Sequence, residues 1–189
     1  MSHFKKIKDP LNKFKKGYQR NNPNLLKHLE SKLINGEPFH YLFLGSVGCG
    51  KTYLARHIMY YSSTRWEYIK VYKFYQEYLG IIGSNAYDKF DALRSHSVPM
   101  QSESLLIDDL GNEKPSTEAA HDYLGGLIER RYDYLERKAD ISRTIITTNL
   151  NGDQIDDIYG SRVLDRIKQY FIICKFNDIS FRHKNKEII

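Results

Sequence analysis

Short apolar runs alternate with segments of helical spacing along the chain. The apolar runs predict five strands, at residues 39–44, 66–71, 104–108, 143–148 and 169–176. The segments between and around them predict a helix from Pro23 to Gly36 and a second helix over 51–62. They also predict two helical pieces separated near 83–85, a long helix over 115–138 and further helical pieces within 153–168. Strands that alternate with helices are typical of an α/β protein with a parallel sheet.

A glycine-rich segment follows the first predicted strand and opens a helix. Residues 45–52 match the phosphate-binding pattern G-x-x-x-x-G-K-[ST] at every fixed position. Glycines let backbone N–H groups approach phosphates, and the helix N-terminus adds partial positive charge. We expect Lys51 to reach the β- and γ-phosphates of ATP and the Thr52 hydroxyl to bind Mg²⁺. The predicted nucleotide-binding residues are Gly45, Ser46, Val47, Gly48, Cys49, Gly50, Lys51, Thr52 and Tyr53.

Polar side chains follow two later strands. Asp108 and Asp109 come after the apolar run Leu105–Ile107, and Asn149 ends the fourth predicted strand. An acid at the carboxyl end of such a strand holds Mg²⁺ beside the phosphates, so we assign Asp108 to the metal. Asp109 is expected to orient or deprotonate the attacking water. Asn149 is expected to hydrogen-bond the γ-phosphate or that water. The alternative is that these residues only end strands and start turns.

Two arginines lie four residues apart in the last predicted helix. Arg162 and Arg166 share a helix face, and Asp165 is close enough in sequence to pair with Arg162. One interpretation is structural: an ion pair between Arg162 and Asp165. The functional interpretation is an arginine finger that serves the ATP of a neighbouring subunit.

These motifs in this order resemble the AAA+ ATPases of the DnaC-type helicase loaders and their IstB-type relatives. The resemblance covers about residues 24–182 and is carried by GSVGCGKT, LLIDDLG, ITTNL and GSRVLDRI, together with IERRY and ISFR. It implies a three-layer P-loop NTPase of the AAA+/ASCE class with a five-stranded parallel sheet. The C-terminal helical lid is expected to be absent or minimal. The resemblance also implies ATP-dependent oligomers that bind single-stranded DNA.

The resemblance suggests roles by position. Thr148 and Asn149 would be sensor 1, and Arg182 would be sensor 2, which approaches the phosphates in cis. Arg162 would act in trans, with Arg166 as the alternative. The segment 73–96 falls where this clade carries an extra helix facing DNA, although aromatic residues at helical spacing usually belong to the core. The candidate DNA-contacting residues are Tyr72, Lys73, Phe74, Tyr75, Tyr78, Tyr87, Lys89 and Arg94.

The net charge of +6 is concentrated at the N-terminus. Residues 1–20 contain seven basic residues against Asp9, leaving 22 of the 29 basic and 22 of the 23 acidic residues for the remainder. We therefore divide the chain into a basic arm, 1–22, and an AAA+ ATPase domain, 23–189. The arm suits nucleic acid or another acidic partner, and the alternative is a solvated tail.

Other features of the composition indicate the compartment. No apolar run reaches the roughly 18 residues that a membrane span needs. The first residues lack the apolar region of a secretory signal, and the two cysteines do not form a disulfide framework. We expect a cytoplasmic protein with no membrane partner.

Four functions fit these motifs. The leading one is a slow ATPase that assembles on single-stranded DNA and loads a replicative helicase. An IstB-like ATPase that assists a transposase shares every ATP motif. A small-molecule P-loop kinase fits the length of 189 residues, but the Thr-Thr-Asn strand end and the arginine helix favour the ATPase. A nucleotide-gated adaptor with negligible turnover is the fourth. Two departures from the resemblance bear on the choice: no helicase-binding domain is recognisable before the first strand, and Asp109 replaces the Glu common in AAA+ proteins.

Overall fold

A computed structural model describes residues 28–29, 31–32, 35–62, 64–84, 89–113 and 117–176. The basic arm, Tyr87, Pro115 and Arg182 lie outside these described residues. The prediction of an absent or minimal lid concerns residues after the fifth strand, and positions 177–189 also lie outside them.

A five-stranded, wholly parallel sheet forms the centre of the protein. Its strands are β1 (Phe39–Leu44), β2 (Trp66–Lys70), β3 (Ser104–Leu110), β4 (Arg143–Thr148) and β5 (Ile172–Lys175). Their order across the sheet is β2-β3-β4-β1-β5, with every neighbouring pair parallel. Strand β4 therefore separates β1 from β3. The predicted five-stranded parallel α/β fold is confirmed.

Six α-helices connect the strands within the described residues. They are α1 (Lys51–Tyr61), α2 (Val71–Gly83), α3 (Lys89–Ser97), α4 (Glu118–Lys138), α5 (Gly152–Tyr159) and α6 (Ser161–Tyr170). A short 3₁₀ helix, Val98–Gln101, leads from α3 to β3. None of the described helices is both long enough and apolar enough to cross a membrane.

Several predicted boundaries were wrong by a few residues. Strand β2 ends at Lys70 because Val71 begins α2. The long helix begins at Glu118, after the Thr117 side chain accepts a hydrogen bond from the Ala120 N–H. Strand β5 is shorter than predicted because α6 continues to Tyr170.

Two apolar clusters cover the two faces of the sheet. Alternate residues of β1 face opposite sides: Tyr41 and Phe43 join one cluster with α1, whereas Leu42 and Leu44 join the other with α2, α4, α5 and α6. Burial on both faces explains why β1 and β4 consist of apolar or β-branched residues apart from His40 and Arg143. The result is the predicted three-layer architecture.

A buried arginine ties α4 to the sheet. The Arg131 side chain donates hydrogen bonds to the carbonyl oxygens of Met100, Ser102 and Arg143 and to the Thr144 hydroxyl. It is only 1% exposed. Burial lowers the pKa of its guanidinium to about 10, so the group stays protonated at neutral pH. These bonds fix α4 against the start of β4 and the segment before β3.

Candidate nucleotide-binding site

The carboxyl ends of β1, β3 and β4 meet at one edge of the sheet. The glycine-rich loop follows β1, the two aspartates lie in the last three residues of β3, and Asn149 follows β4. Because β4 lies between β1 and β3, Asn149 is placed between the loop and the acids. Ligands of open α/β sheets bind at this edge. The structure thus brings together residues far apart in the chain.

The loop after β1 has a backbone that requires glycine. Gly45 has φ 154°, and a Cβ there would lie 2.9 Å from the Phe176 Cβ and 3.0 Å from the Cys49 sulfur. Gly50 has φ 97° in the left-handed region and is the N-cap residue directly before α1. Within the loop Cys49 is buried and Val47 is exposed, and Tyr53 at the start of α1 is also exposed. The Tyr53 ring stacks on His57.

The Lys51 ammonium is buried within this loop. Its Nζ donates to the carbonyl oxygens of Gly45 at 2.7 Å and Ser46 at 2.8 Å, and to Asn149 Oδ1 at 2.9 Å. Among the described residues, no carboxylate forms an ion pair with it. A buried cation compensated by neutral oxygens attracts an anion strongly. This is the electrostatic requirement of a phosphate site.

Three hydroxyl groups surround the Asp108 carboxylate. Thr52 donates to Oδ1 at 2.8 Å, Thr147 donates to Oδ1 at 2.7 Å, and Tyr68 donates to Oδ2 at 2.9 Å. Asp108 is 1% exposed. The Thr52 hydroxyl and the carboxylate are therefore adjacent hard oxygen donors, the kind that Mg²⁺ prefers. Sequence reasoning missed Tyr68 and Thr147, because their role depends on which strands are neighbours.

A further observation fits a bound nucleotide. The Ser46 hydroxyl is buried and has no hydrogen-bond partner among the described residues. A buried hydroxyl without a partner costs free energy, and a phosphate oxygen at the loop would accept its hydrogen. Together with Lys51, Thr52 and Asp108, this donor set matches a magnesium–nucleotide complex.

Asp109 sits at a break in β3. Its φ of 62° is in the left-handed region, and the pairing with β4 shifts register between Ile107 and Leu110. The Thr147 hydroxyl accepts a hydrogen bond from the Asp109 N–H at 2.9 Å. Lys70 Nζ lies 3.9 Å from Asp109 Oδ2. The bulge leaves the Asp109 side chain partly exposed, next to the buried Asp108.

The two candidate trans-acting arginines both contact α4. Arg162 Nε lies 3.0 Å from Glu129 Oε1, and its side chain remains 73% exposed. The partner is therefore Glu129, where the structural interpretation expected Asp165. The Arg166 guanidinium lies 3.8 Å from the centre of the Tyr132 ring. Arg162 is the more accessible of the two.

The candidate DNA segment divides into core and surface residues. Phe74 and Tyr75 are buried, and Tyr78 stacks on Tyr123 with ring centres 3.7 Å apart. These aromatics mainly join α2 to α4. The exposed candidates that remain are Tyr72, Lys73, Lys89 and Arg94.

Comparison with known proteins places the chain in a family. Residues 41–171 match the ATPase family associated with various cellular activities (AAA). The matched segment includes the glycine-rich loop, both aspartates, Asn149 and the arginine helix. The chain therefore belongs to this family, the AAA ATPases. No curated protein matches the chain at a significant level.

Solved structures show the same fold. AMPPCP-bound DnaA from Aquifex aeolicus is similar with a TM-score of 0.60 and 18% identity, over 82% of this chain and 46% of that one. DnaI is similar with a TM-score of 0.60 and 18% identity, over 80% of this chain and 82% of that one. Domain III of the Thermotoga maritima replication initiation protein DnaA has a TM-score of 0.59 and 18% identity, over 82% and 62%. The chain thus spans about half the length of the first of these structures. A sequence identity of 18% shows that the fold is shared and nothing more.

Proposed function

We propose that the chain binds ATP with Mg²⁺ and hydrolyses it in an oligomer that assembles on single-stranded DNA and loads a replicative helicase. The observation that carries the ATPase part is the meeting of Lys51 with Asn149, and of Thr52 with Asp108, at one sheet edge. The A. aeolicus DnaA structure of similar fold is bound to AMPPCP, which supports a nucleotide as the ligand.

Each residue of the edge has a chemical task in this proposal. The loop N–H groups and Lys51 bind the β- and γ-phosphates. Thr52 and Asp108 would hold the metal. When bound, Mg²⁺ neutralises charge on the phosphate oxygens. Lys51 exchanges its contacts with loop carbonyls for phosphate oxygens, while Asn149 keeps the ammonium or the γ-phosphate oriented.

Asp109 acts on the attacking water. Its carboxylate accepts a proton as the water oxygen bonds to the γ-phosphorus and the bond to the bridging oxygen breaks. Lys70 Nζ lies 3.9 Å from this carboxylate. Because Asp is one methylene shorter than Glu, we expect slow turnover.

The oligomeric part of the proposal rests on Arg162. Its guanidinium is paired through Nε with Glu129 and its side chain is 73% exposed, so a neighbour's γ-phosphate could reach it. An arginine supplied in trans contributes about 10³ to 10⁵ in rate in related phosphoryl transfer. Arg182 is proposed as the cis sensor.

The replication part rests on resemblance and on charge. The fold is that of DnaI and of a replication initiation protein. Exposed Lys73 on α2 and exposed Lys89 and Arg94 on α3 offer cations for phosphates. The IstB-like alternative has the same ATP site, so the partner separates the two. Capture of the helicase or of the transposase by the ATP-trapped protein from its host decides between them.

The decisive experiment mixes two inactive variants. Lys51→Ala subunits should fail to bind ATP but keep Arg162. Arg162→Ala subunits should bind ATP normally but hydrolyse it poorly. If Arg162 acts in trans, mixing should restore phosphate release, and dilution should abolish the restoration.

The control is the same mixture with Arg166→Ala in place of Arg162→Ala. Recovery with that variant alone would move the finger one helical turn along. No recovery in a mixed oligomer shown to form would contradict the trans assignment. If the wild-type protein is a monomer whose specific ATPase activity is the same at every protein concentration, the small-molecule kinase is favoured instead.

A further inference from the structure

Tyr68 reaches the proposed metal carboxylate from the edge of the sheet. It lies on the edge strand β2 opposite Leu106 of β3, and Asp108 is two residues further along β3 on the same face. The Tyr68 hydroxyl donates to Asp108 Oδ2 at 2.9 Å. A residue outside the glycine-rich loop and the acid pair thus contacts the buried carboxylate directly.

The hydroxyl donors divide between the two carboxylate oxygens. Thr52 and Thr147 both donate to Oδ1, and Tyr68 donates to Oδ2. The carboxylate rotates about its Cβ–Cγ bond, a torsion that is intrinsically broad, and both oxygens move together in that rotation. The two donors on Oδ1 restrict the rotation from one side, and Tyr68 restricts it from the other by holding Oδ2.

The surroundings of Tyr68 keep its hydroxyl in place as a donor. Arg56 from α1 lies 5.8 Å from the centre of its ring, a cation–π contact on the side of α1. A tyrosine phenol carries its proton at neutral pH and can therefore donate to the carboxylate. The residue is 40% exposed.

We infer that Tyr68 is a positioning residue for the magnesium site. Its hydrogen bond holds the Asp108 carboxylate with Oδ1 towards Thr52, so the two oxygen donors are already arranged when the metal–nucleotide complex binds. This inference rests on the proposed ATP site. Groups that orient metal-binding carboxylates commonly change metal affinity by about 10- to 100-fold when removed.

The test is Tyr68→Phe, which keeps the ring beside Arg56 and removes only the hydroxyl. The affinity for a fluorescent ATP analogue is measured by titration in EDTA and then at increasing Mg²⁺ concentration. We expect the Mg²⁺ concentration at half-effect to rise about 10-fold, at the lower end of that range because Thr52 and Thr147 remain. The affinity in EDTA should stay within about twofold of the wild type, because Lys51 and the loop are untouched.

Tyr60→Phe is the matched control. Tyr60 is an exposed tyrosine at the C-terminal end of α1, whereas Lys51 and Thr52 lie at its N-terminal end. It should show the wild-type Mg²⁺ dependence. If Tyr68→Phe behaves like Tyr60→Phe, or loses affinity equally with and without Mg²⁺, the positioning role is overturned. If the wild type itself binds the analogue no better with Mg²⁺ than in EDTA, the proposed site fails instead. The two failures are therefore distinguishable.

Discussion

Replacement of Arg131 by Met should destabilise the protein strongly although Arg131 lies away from the candidate site. Met keeps an unbranched chain and a similar helix propensity, so α4 itself is little affected. The change leaves four acceptors without their donor: the buried carbonyl oxygens of Met100 and Arg143, the buried Thr144 hydroxyl and the half-buried carbonyl oxygen of Ser102. An unsatisfied buried acceptor costs about 1–3 kcal/mol.

The gain from no longer burying a charge offsets part of this loss. At about 1 kcal/mol for each of the four acceptors, partly offset, we expect the free energy of unfolding to fall by about 2–4 kcal/mol. Urea unfolding followed by circular dichroism measures this directly. The control is Arg130→Met, because Arg130 is the exposed neighbour on the same helix and should change stability by less than about 0.5 kcal/mol. Equal stability of the two variants would refute the argument.

Two further predictions concern function. Asp109→Asn should leave ATP binding intact and lower phosphate release by about 10² or more, because Asn tolerates the left-handed backbone at this position but is not a base; an equal loss of binding would place Asp109 in the fold or on the metal. Deletion of residues 2–20 should reduce the salt dependence of single-stranded DNA binding, with a log–log slope smaller by about 3 to 4 if about five cations meet phosphates. An unchanged slope in filter-binding or anisotropy titrations would make the arm a solvated tail.

Much of the fold could be predicted because its signals are local. The strands at 39–44 and 143–148 have the predicted bounds. Both consist mainly of apolar or β-branched residues, as a parallel strand buried on both faces requires. The glycine-rich loop was recognisable because its residue types are dictated by its own backbone, as the close approach at Gly45 shows. The predicted boundaries are wrong where an apolar residue suits a strand or a helix equally well, as Val71 does at the start of α2. They are also wrong where α6 extends into residues that were predicted to be a strand.

The candidate site divides in the same way. The sequence predicts four residues of the site that the structure brings into contact in two pairs: Lys51 with Asn149 and Thr52 with Asp108. Their proposed roles in catalysis stay predictions. Tyr68 and Thr147 were missed, because no local pattern tells which side chain on one strand will reach a carboxylate on the next.

Local patterns along the chain specify the order of strands and helices, the phosphate-binding loop and the polar residues at the strand ends, because periodicity and turn residues act over a few neighbours. Which of these residues meet depends on how the strands are arranged in the sheet. The order β2-β3-β4-β1-β5 places Asn149 on Lys51 and Tyr68 on Asp108. Packing of α6 on α4 pairs Arg162 with Glu129, and packing of α4 on the sheet buries Arg131. Such contacts depend on strand order and register, which no local pattern in the chain encodes.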